Sequence, residues 1–162
     1  MAALRIRPAT ADDAALILRL IRELARYERA EDAVQTDEAG LRASLFGPGA
    51  TAHALICEAD AQPVGYAVYF YNYSTWLGRN GLYLEDLYVD PAHRGVGAGK
   101  ALLQHLARQA VAEGCGRFEW SVLDWNTPAI DFYRSLGATP LDGWTVQRVS
   151  GDALQALARR EP

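Results

Sequence analysis

The sequence predicts a single α+β (mixed α/β) domain, and three observations carry that reading. Segments of helical and strand period follow one another in the order β α α β β β α β α β α. Three strands come as a run in mid-chain, which breaks the regular alternation of a doubly wound sheet. The 162 residues are 50% hydrophobic and 22% charged, enough for one core and without the polar excess of a disordered chain.

The elements follow in order. Residues 3–8 (ALRIRP) alternate and read as a first strand. Thr10 offers an N-cap with Asp13 three residues on, and Leu16, Ile17, Leu20, Ile21 and Leu24 follow at helical spacing to about Tyr27. A second short helix spans 37–46, closed by Gly47-Pro48. Strands at 52–59 and 63–72 are joined by a turn at Ala61-Gln62-Pro63. A turn at 78–81 leads to a strand at 82–89 (LYLEDLYV), whose apolar run is interrupted by two acids. A glycine-rich turn opens a helix that runs through Glu113, with Leu102, Leu103, Leu106, Ala110 and Val111 as its stripe and Gly114 as its cap. A strand at 117–123 follows, then a helix capped by Asn126 or Thr127, with Pro128 in its first turn and Gly137 at its end. A last strand at 143–149 and a short C-terminal helix complete the chain. No linker, repeat or low-complexity tract divides residues 1–162.

Composition narrows the function classes. The net charge of -4 speaks against a nucleic-acid partner and fits a cationic substrate better than an anionic one, although a plain solubilising surface explains it equally well. Cys57 and Cys115 are far apart and form no CxxC, so reduced structural thiols are expected rather than a disulfide or a zinc site. His53, His93 and His105 lack metal-ligand spacing, and no metal is expected. No apolar stretch reaches the ~18 residues of a membrane span. The first residues lack the apolar core of a signal peptide, so no membrane association is expected and the cytoplasm is the expected compartment.

The strand–turn–helix at 82–113 is the most informative feature. Glycines at a helix start expose unpaired backbone N–H groups, the helix dipole adds partial positive charge, and together they bind phosphate. A Walker A loop is excluded: with Gly99-Lys100 as its G-K, the first and last positions fall on Arg94 and Ala101. A dinucleotide fingerprint starting at Gly95 ends on Lys100 instead of glycine. The pattern that fits is R-x-x-G-x-G, with Arg94, Gly97 and Gly99 in place.

That pattern resembles the acetyl-CoA pyrophosphate loop of the GNAT superfamily of N-acetyltransferases. The likeness extends through residues 5–28 (RIRPATADDAALILRLIRELARYE), 83–100 (YLEDLYVDPAHRGVGAGK), 123–137 (LDWNTPAIDFYRSLG) and Asp142-Gly143-Trp144, all similar to the spermidine/spermine (diamine) N1-acetyltransferase and thialysine N-acetyltransferase branch. The resemblance implies a GNAT fold, a splayed mixed sheet of six to seven strands flanked by helices. The cofactor would lie where two central parallel strands part. It also implies a homodimer with acetyl-CoA as co-substrate and a small amine as partner.

The resemblance assigns roles residue by residue. Arg94, Gly95, Val96, Gly97, Ala98, Gly99 and Lys100 would cradle the pyrophosphate. Leu87, Tyr88 and Val89 would line the pantetheine, and Asn126, Ala129 and Tyr133 would contact the cofactor from the following helix. Tyr133 stands where the family has its catalytic tyrosine. A phenol, with an ordinary pKa of about 10, can protonate a departing thiolate without being ionised at neutral pH. Glu85 matches a residue near the substrate amine and would accept its proton through water. Asp86, Tyr27, Glu28, Glu119, Trp120 and Ser121 match substrate contacts. Read from residue type alone, Asn126 is also a plain N-cap, Tyr133, Tyr27 and Trp120 are also packed aromatics, and the two acids are also ion-pair partners. Neighbours on a strand face opposite sides, so Glu85 and Asp86 reach one cleft together only across a bulge.

Two positions depart from the branch. Ser74-Thr75 stand where polyamine-specific members carry an acid ahead of Trp76, with one more residue before Glu85, and Leu136 replaces a basic residue. The acceptor therefore stays open among polyamines, diamines and thialysine-like amino acids. A peptide or protein N-acetyltransferase, or a non-catalytic acyl-CoA-binding module, is the alternative.

Overall fold

The computed structural model describes residues 2–160. Strands are β1 (Leu4–Pro8), β2 (Ala52–Ala59), β3 (Gln62–Ser74), β4 (Arg79–Val89) and β5 (Phe118–Trp120). Helices are α1 (Ala14–Tyr27), α2 (Glu38–Phe46), α3 (Ala98–Ala112), α4 (Thr127–Ser135) and α5 (Gly151–Ala158). The chain divides into two compact units, Met1–Leu123 and Asp124–Pro162.

The larger unit holds the sheet, in sequential order β1-β2-β3-β4-β5. The first four strands are antiparallel and β5 lies parallel to β4. A parallel neighbour cannot be reached by a tight turn, so α3 serves as the crossover between β4 and β5. One face of the sheet carries α1 and α2, with Ile17, Leu18, Leu20 and Leu41 packed on Ala54, Ile56, Tyr66 and Tyr88. The other carries α3, whose Gln109 side chain donates to the hydroxyls of Tyr69 and Tyr71 at 2.9 and 2.8 Å. Ile17, Leu20, Ile56, Leu102 and Leu106 are fully buried. Each such side chain stabilises the fold by about 1.5–3 kcal/mol.

The entry to α1 is pinned to the sheet. The Thr10 backbone N–H donates to Asp13 Oδ2 at 2.8 Å. The Arg7 guanidinium grips Asp13 through two bonds of 2.8 and 3.0 Å and reaches Glu58 on β2 at 2.8 Å. These bonds pull the Asp13 carboxyl below its ordinary pKa, with the Arg7 hydrogen bond as the main cause.

The hairpin turns lie slightly off their expected places. β2 and β3 are joined at Asp60-Ala61, both at positive φ (49° and 64°), as a two-residue hairpin requires. The β3–β4 turn occupies 75–78, and Asn80 and Gly81 are already in β4. Trp76 stands exposed in that turn.

In the smaller unit, the Asn126 side chain caps α4, Pro128 sits in its first turn, and Gly137 at φ 92° follows its end. The expected strand at 143–149 is not formed. A strand is held by a neighbour's hydrogen bonds, and no strand pairs with this segment among the described residues. The sheet accordingly has five strands among those residues rather than six or seven.

Candidate active site

The glycine turn takes the shape its composition demands. Gly95 and Gly97 adopt φ of 88° and 85°, a left-handed conformation that side-chain-bearing residues reach only under strain. Gly97 is the N-cap of α3, and the first helical bond runs from Ala101 N–H to its carbonyl. The N–H groups of Ala98, Gly99 and Lys100 therefore precede the helix ladder and have no partner within it. Arg94, Gly95, Val96 and Gly97 are exposed, whereas Ala98 is buried and anchors the turn to the core.

The strand leading into this turn has an open edge. β4 pairs with β5 only over Leu82–Leu84, opposite Phe118–Trp120. β5 then ends while β4 continues through Glu85, Leu87, Tyr88 and Val89. No strand pairs with that edge beyond Leu84 among the described residues. The β4 edge from Leu87 to Val89 thus lies past the end of β5. Leu87 and Val89 are half-buried there, while the Tyr88 ring is buried in the α1 face of the core. Tyr88 can therefore serve a cofactor through its backbone, and its ring serves packing.

Glu85 sits at a β-bulge. Val68 faces Asp86 and Tyr69 faces Leu84, so Glu85 is the extra residue in β4 with no opposite number on β3. The bulge resets the alternation. Asp86 falls on the same face as Tyr66 and Tyr88, and its Oδ2 accepts a 2.7 Å hydrogen bond from the Tyr66 hydroxyl. Burial pushes the Asp86 carboxyl above its ordinary pKa, and the Tyr66 bond opposes that rise. Glu28, at the C-cap of α1, is pushed up in turn, first by burial and then by the charge of Asp86. Glu85 itself is exposed.

The C-terminal end of α1 brings Tyr27 beside the glycine turn. Arg29 closes the helix at φ 60°, a conformation more usual for glycine, and the Ala30 N–H returns to the Ala25 carbonyl at 2.8 Å. The Arg94 guanidinium lies 5.2 Å from the Tyr27 ring centroid and 5.9 Å from that of Tyr88, with its Nε donating to the Val89 carbonyl at 3.2 Å. The pyrophosphate candidate Arg94 and the substrate candidate Tyr27 are thereby in contact.

On β5 and just beyond it, Glu119 forms an ion pair with Arg117 at 2.6 Å, and Ser121 Oγ lies 2.8 Å from the Tyr83 hydroxyl. Trp120 packs its ring 5.0 Å from that of Phe118. In the smaller unit, Asn126 is buried and its Oδ1 accepts from the Ala129 N–H at 3.4 Å, so the N-cap reading of this residue holds. Ala129 and Tyr133 are half-buried on α4, with the Tyr133 ring 5.7 Å from that of Phe132.

The sequence reasoning missed Tyr66, whose hydroxyl contacts Asp86 from the neighbouring strand. In sequence it is one of four tyrosines in β3, and nothing local marks it out. Among the described residues no group of three or more potential metal ligands is found. No helix there is long and apolar enough to cross a membrane.

Comparison with known proteins accords with this geometry. A sequence model of the Acetyltransferase (GNAT) family matches residues 17–138. A thialysine N-epsilon-acetyltransferase of Sus scrofa is 44% identical, over 98% of this chain and 99% of its own length. An L-ornithine N5-acetyltransferase of Arabidopsis thaliana is 31% identical over 94% and 87%. Among solved structures, an integron cassette protein from the mobile metagenome of V. cholerae superposes with a TM-score of 0.81 at 25% identity, covering 97% of this chain and 98% of that one. With a positive-φ glycine turn beside an open strand edge, and N-acetyltransferase relatives aligned over nearly their full lengths, the chain belongs to the acetyltransferase (GNAT) family and is an N-acetyltransferase.

Proposed function

We propose that the chain transfers an acetyl group from acetyl-CoA to a primary amine of a small molecule, a polyamine, a diamine or a thialysine-like amino acid. The observation that carries this reading is the layout of β4. One acid, Glu85, forms the bulge and a second, Asp86, follows it, an open backbone edge comes next, and the strand leads on to the positive-φ glycine turn. One strand therefore carries a pair of acids near its middle and leads to a candidate anion cradle beyond its end. The relatives' activities, on thialysine and on L-ornithine, both concern amino acids with an amine on the side chain.

Each residue has a part in this reading. Bound acetyl-CoA would supply the acetyl group as an activated thioester. The N–H groups of residues 95–100 and the Arg94 guanidinium would hold its pyrophosphate, and the Leu87–Val89 edge would pair with its pantetheine arm. An N–H of that edge would also serve as an oxyanion donor. A primary amine has an ordinary pKa of about 10.4 and arrives mostly protonated at neutral pH. Glu85 would take the proton through water. Asp86, Glu28, Tyr27, Glu119, Trp120 and Ser121 would hold the rest of the acceptor, the carboxylates by charge and the aromatics by their faces. Asn126 and Ala129 would contact the cofactor from α4, and the Tyr133 hydroxyl would give its proton to the departing sulfur.

The reading extends to the protein as a whole. Residues 1–162 form one N-acetyltransferase domain, supported by a family match that runs from the larger unit into the smaller. The enzyme works as a cytoplasmic homodimer with a small amine as its partner, and the net charge of -4 accords with a cationic ligand rather than nucleic acid or a membrane.

The test is thiol release from acetyl-CoA against spermidine, spermine, putrescine, thialysine, ornithine, lysine, amino sugars and a short peptide. Turnover on one compact amine is expected. Turnover on the peptide alone would make this a protein acetyltransferase. Acetyl-CoA binding with silence on every amine would make it a binding module.

A further inference from the structure

We propose that Tyr66 is a positioning residue for amine recognition, its buried hydroxyl locking the Asp86 carboxylate in the orientation that receives the acceptor's ammonium group. The inference rests on the amine-acetyltransferase reading and adds to it a residue that touches no substrate.

Tyr66 lies in β3 and is 0% exposed, packed in the cluster that holds Ile17, Leu20 and Ile56. A phenylalanine would fill that space as well. The hydroxyl adds a polar atom that needs a partner in an apolar core, and the partner is Asp86 Oδ2 at 2.7 Å. The bulge makes the bond possible: with Glu85 looped out, Asp86 shares a face with Tyr66, whose direct opposite is Tyr88. Without it, regular alternation would place Asp86 on the face of Leu84.

The carboxylate so held is short of positive charge. The titratable groups about it are Tyr66 from β3, Tyr88 and Glu85 from β4, and Glu28 from the end of α1. Asp86 forms no ion pair with a basic side chain among the described residues. The nearby guanidinium of Arg94 is stacked over Tyr27 and Tyr88. A half-buried carboxylate beside a second one and without a counter-ion is completed by a cation from solution. By occupying one oxygen, Tyr66 aims the other, and its bond opposes the rise in pKa that burial imposes.

The decisive experiment is a double-mutant cycle between Tyr66→Phe and Asp86→Asn, read by steady-state kinetics on the preferred amine and by calorimetry with acetyl-CoA. Tyr66→Phe should leave acetyl-CoA affinity unchanged and kcat within about twofold, and raise the amine KM about tenfold, the scale of one hydrogen bond to a charged group. Loss of the phenol frees Asp86 to take up a proton more easily, so the acid limb of kcat/KM should move up by about one pH unit. In the Asp86→Asn background the Tyr66→Phe penalty should vanish. An unchanged KM, or an equal penalty in both backgrounds, would reduce Tyr66 to packing and overturn the proposal. Carboxyl carbon-13 NMR reads the same bond without turnover: the Asp86 midpoint should rise in Tyr66→Phe, and an unmoved midpoint overturns the proposal. Wild-type silence on every amine would instead overturn the reading of the site itself, whereas wild-type turnover with an unaltered Tyr66→Phe overturns the positioning role alone.

Discussion

The guanidinium of Arg94 lies 5.2 Å from the centroid of the Tyr27 ring, so the glycine turn and the end of α1 share one side-chain contact. The Tyr27 ring thereby restrains the guanidinium proposed to hold the pyrophosphate. A cation–π contact at an exposed position contributes about 0.5–1 kcal/mol. Tyr27→Leu should therefore weaken acetyl-CoA binding by about two- to fivefold in calorimetry. Since coupling between two ligands is reciprocal, the dependence of amine affinity on acetyl-CoA should shrink in the same variant. Unaltered acetyl-CoA affinity would mean that the stack does not orient Arg94 for binding.

Gly97→Ala tests the turn itself. Open space surrounds the position where a Cβ would stand, so no clash arises, but the φ of 85° is strained for any other residue. That strain costs about 1–2 kcal/mol. Relief by local rearrangement should move the N–H groups and lower acetyl-CoA affinity by about five- to thirtyfold. Gly97→Glu, which adds a negative charge beside the phosphates, should abolish binding in the same titration.

Tyr133→Phe tests the proposed proton donor. It removes one oxygen from a half-buried side chain. The dissociation constant of acetyl-CoA should not move, whereas kcat should fall by about a hundredfold, the lower end of what a general acid contributes. A variant turning over at the wild-type rate would remove Tyr133 from the mechanism.

The Arg7–Asp13 pair sets an acid limit on stability. The folded pKa of Asp13 is depressed by its bonds to Arg7. The group therefore adds stability above its unfolded value of about 3.9 and loses it as pH falls through the lower folded value. Asp13→Asn should cost about 1–3 kcal/mol at neutral pH, because Arg7 loses a charged partner. It should also flatten the decline of Tm below about pH 4. A variant that declines as steeply as the wild type would assign the acid sensitivity to other carboxylates.

The helices and the glycine turn were legible in the sequence because they depend on local order. The Leu16–Leu24 stripe, the Asn126 cap and the glycines of 95–99 carry their conformational instructions within a few residues, and the structure places them as that order requires. Thr10 and Asp13 announced the entry to α1 in the same way. Glu58, which accepts from Arg7 across the β1–β2 pair, left no local mark.

Composition and local pattern set the mixed α+β architecture, the order of its elements up to α4, the glycine turn at the start of α3 and the pair of acids on β4. Tertiary structure alone decided how those acids are used. The bulge at Glu85 exists only as a slip between β3 and β4, and no property of LYLEDLYV states where its partner strand will fall out of step. The bond from Tyr66 to Asp86 follows from that slip and joins residues twenty apart in sequence. The segment 143–149 shows the converse. It has the alternation of a strand, yet it forms none within the described chain, because a strand is completed by a neighbour's hydrogen bonds and not by its own sequence.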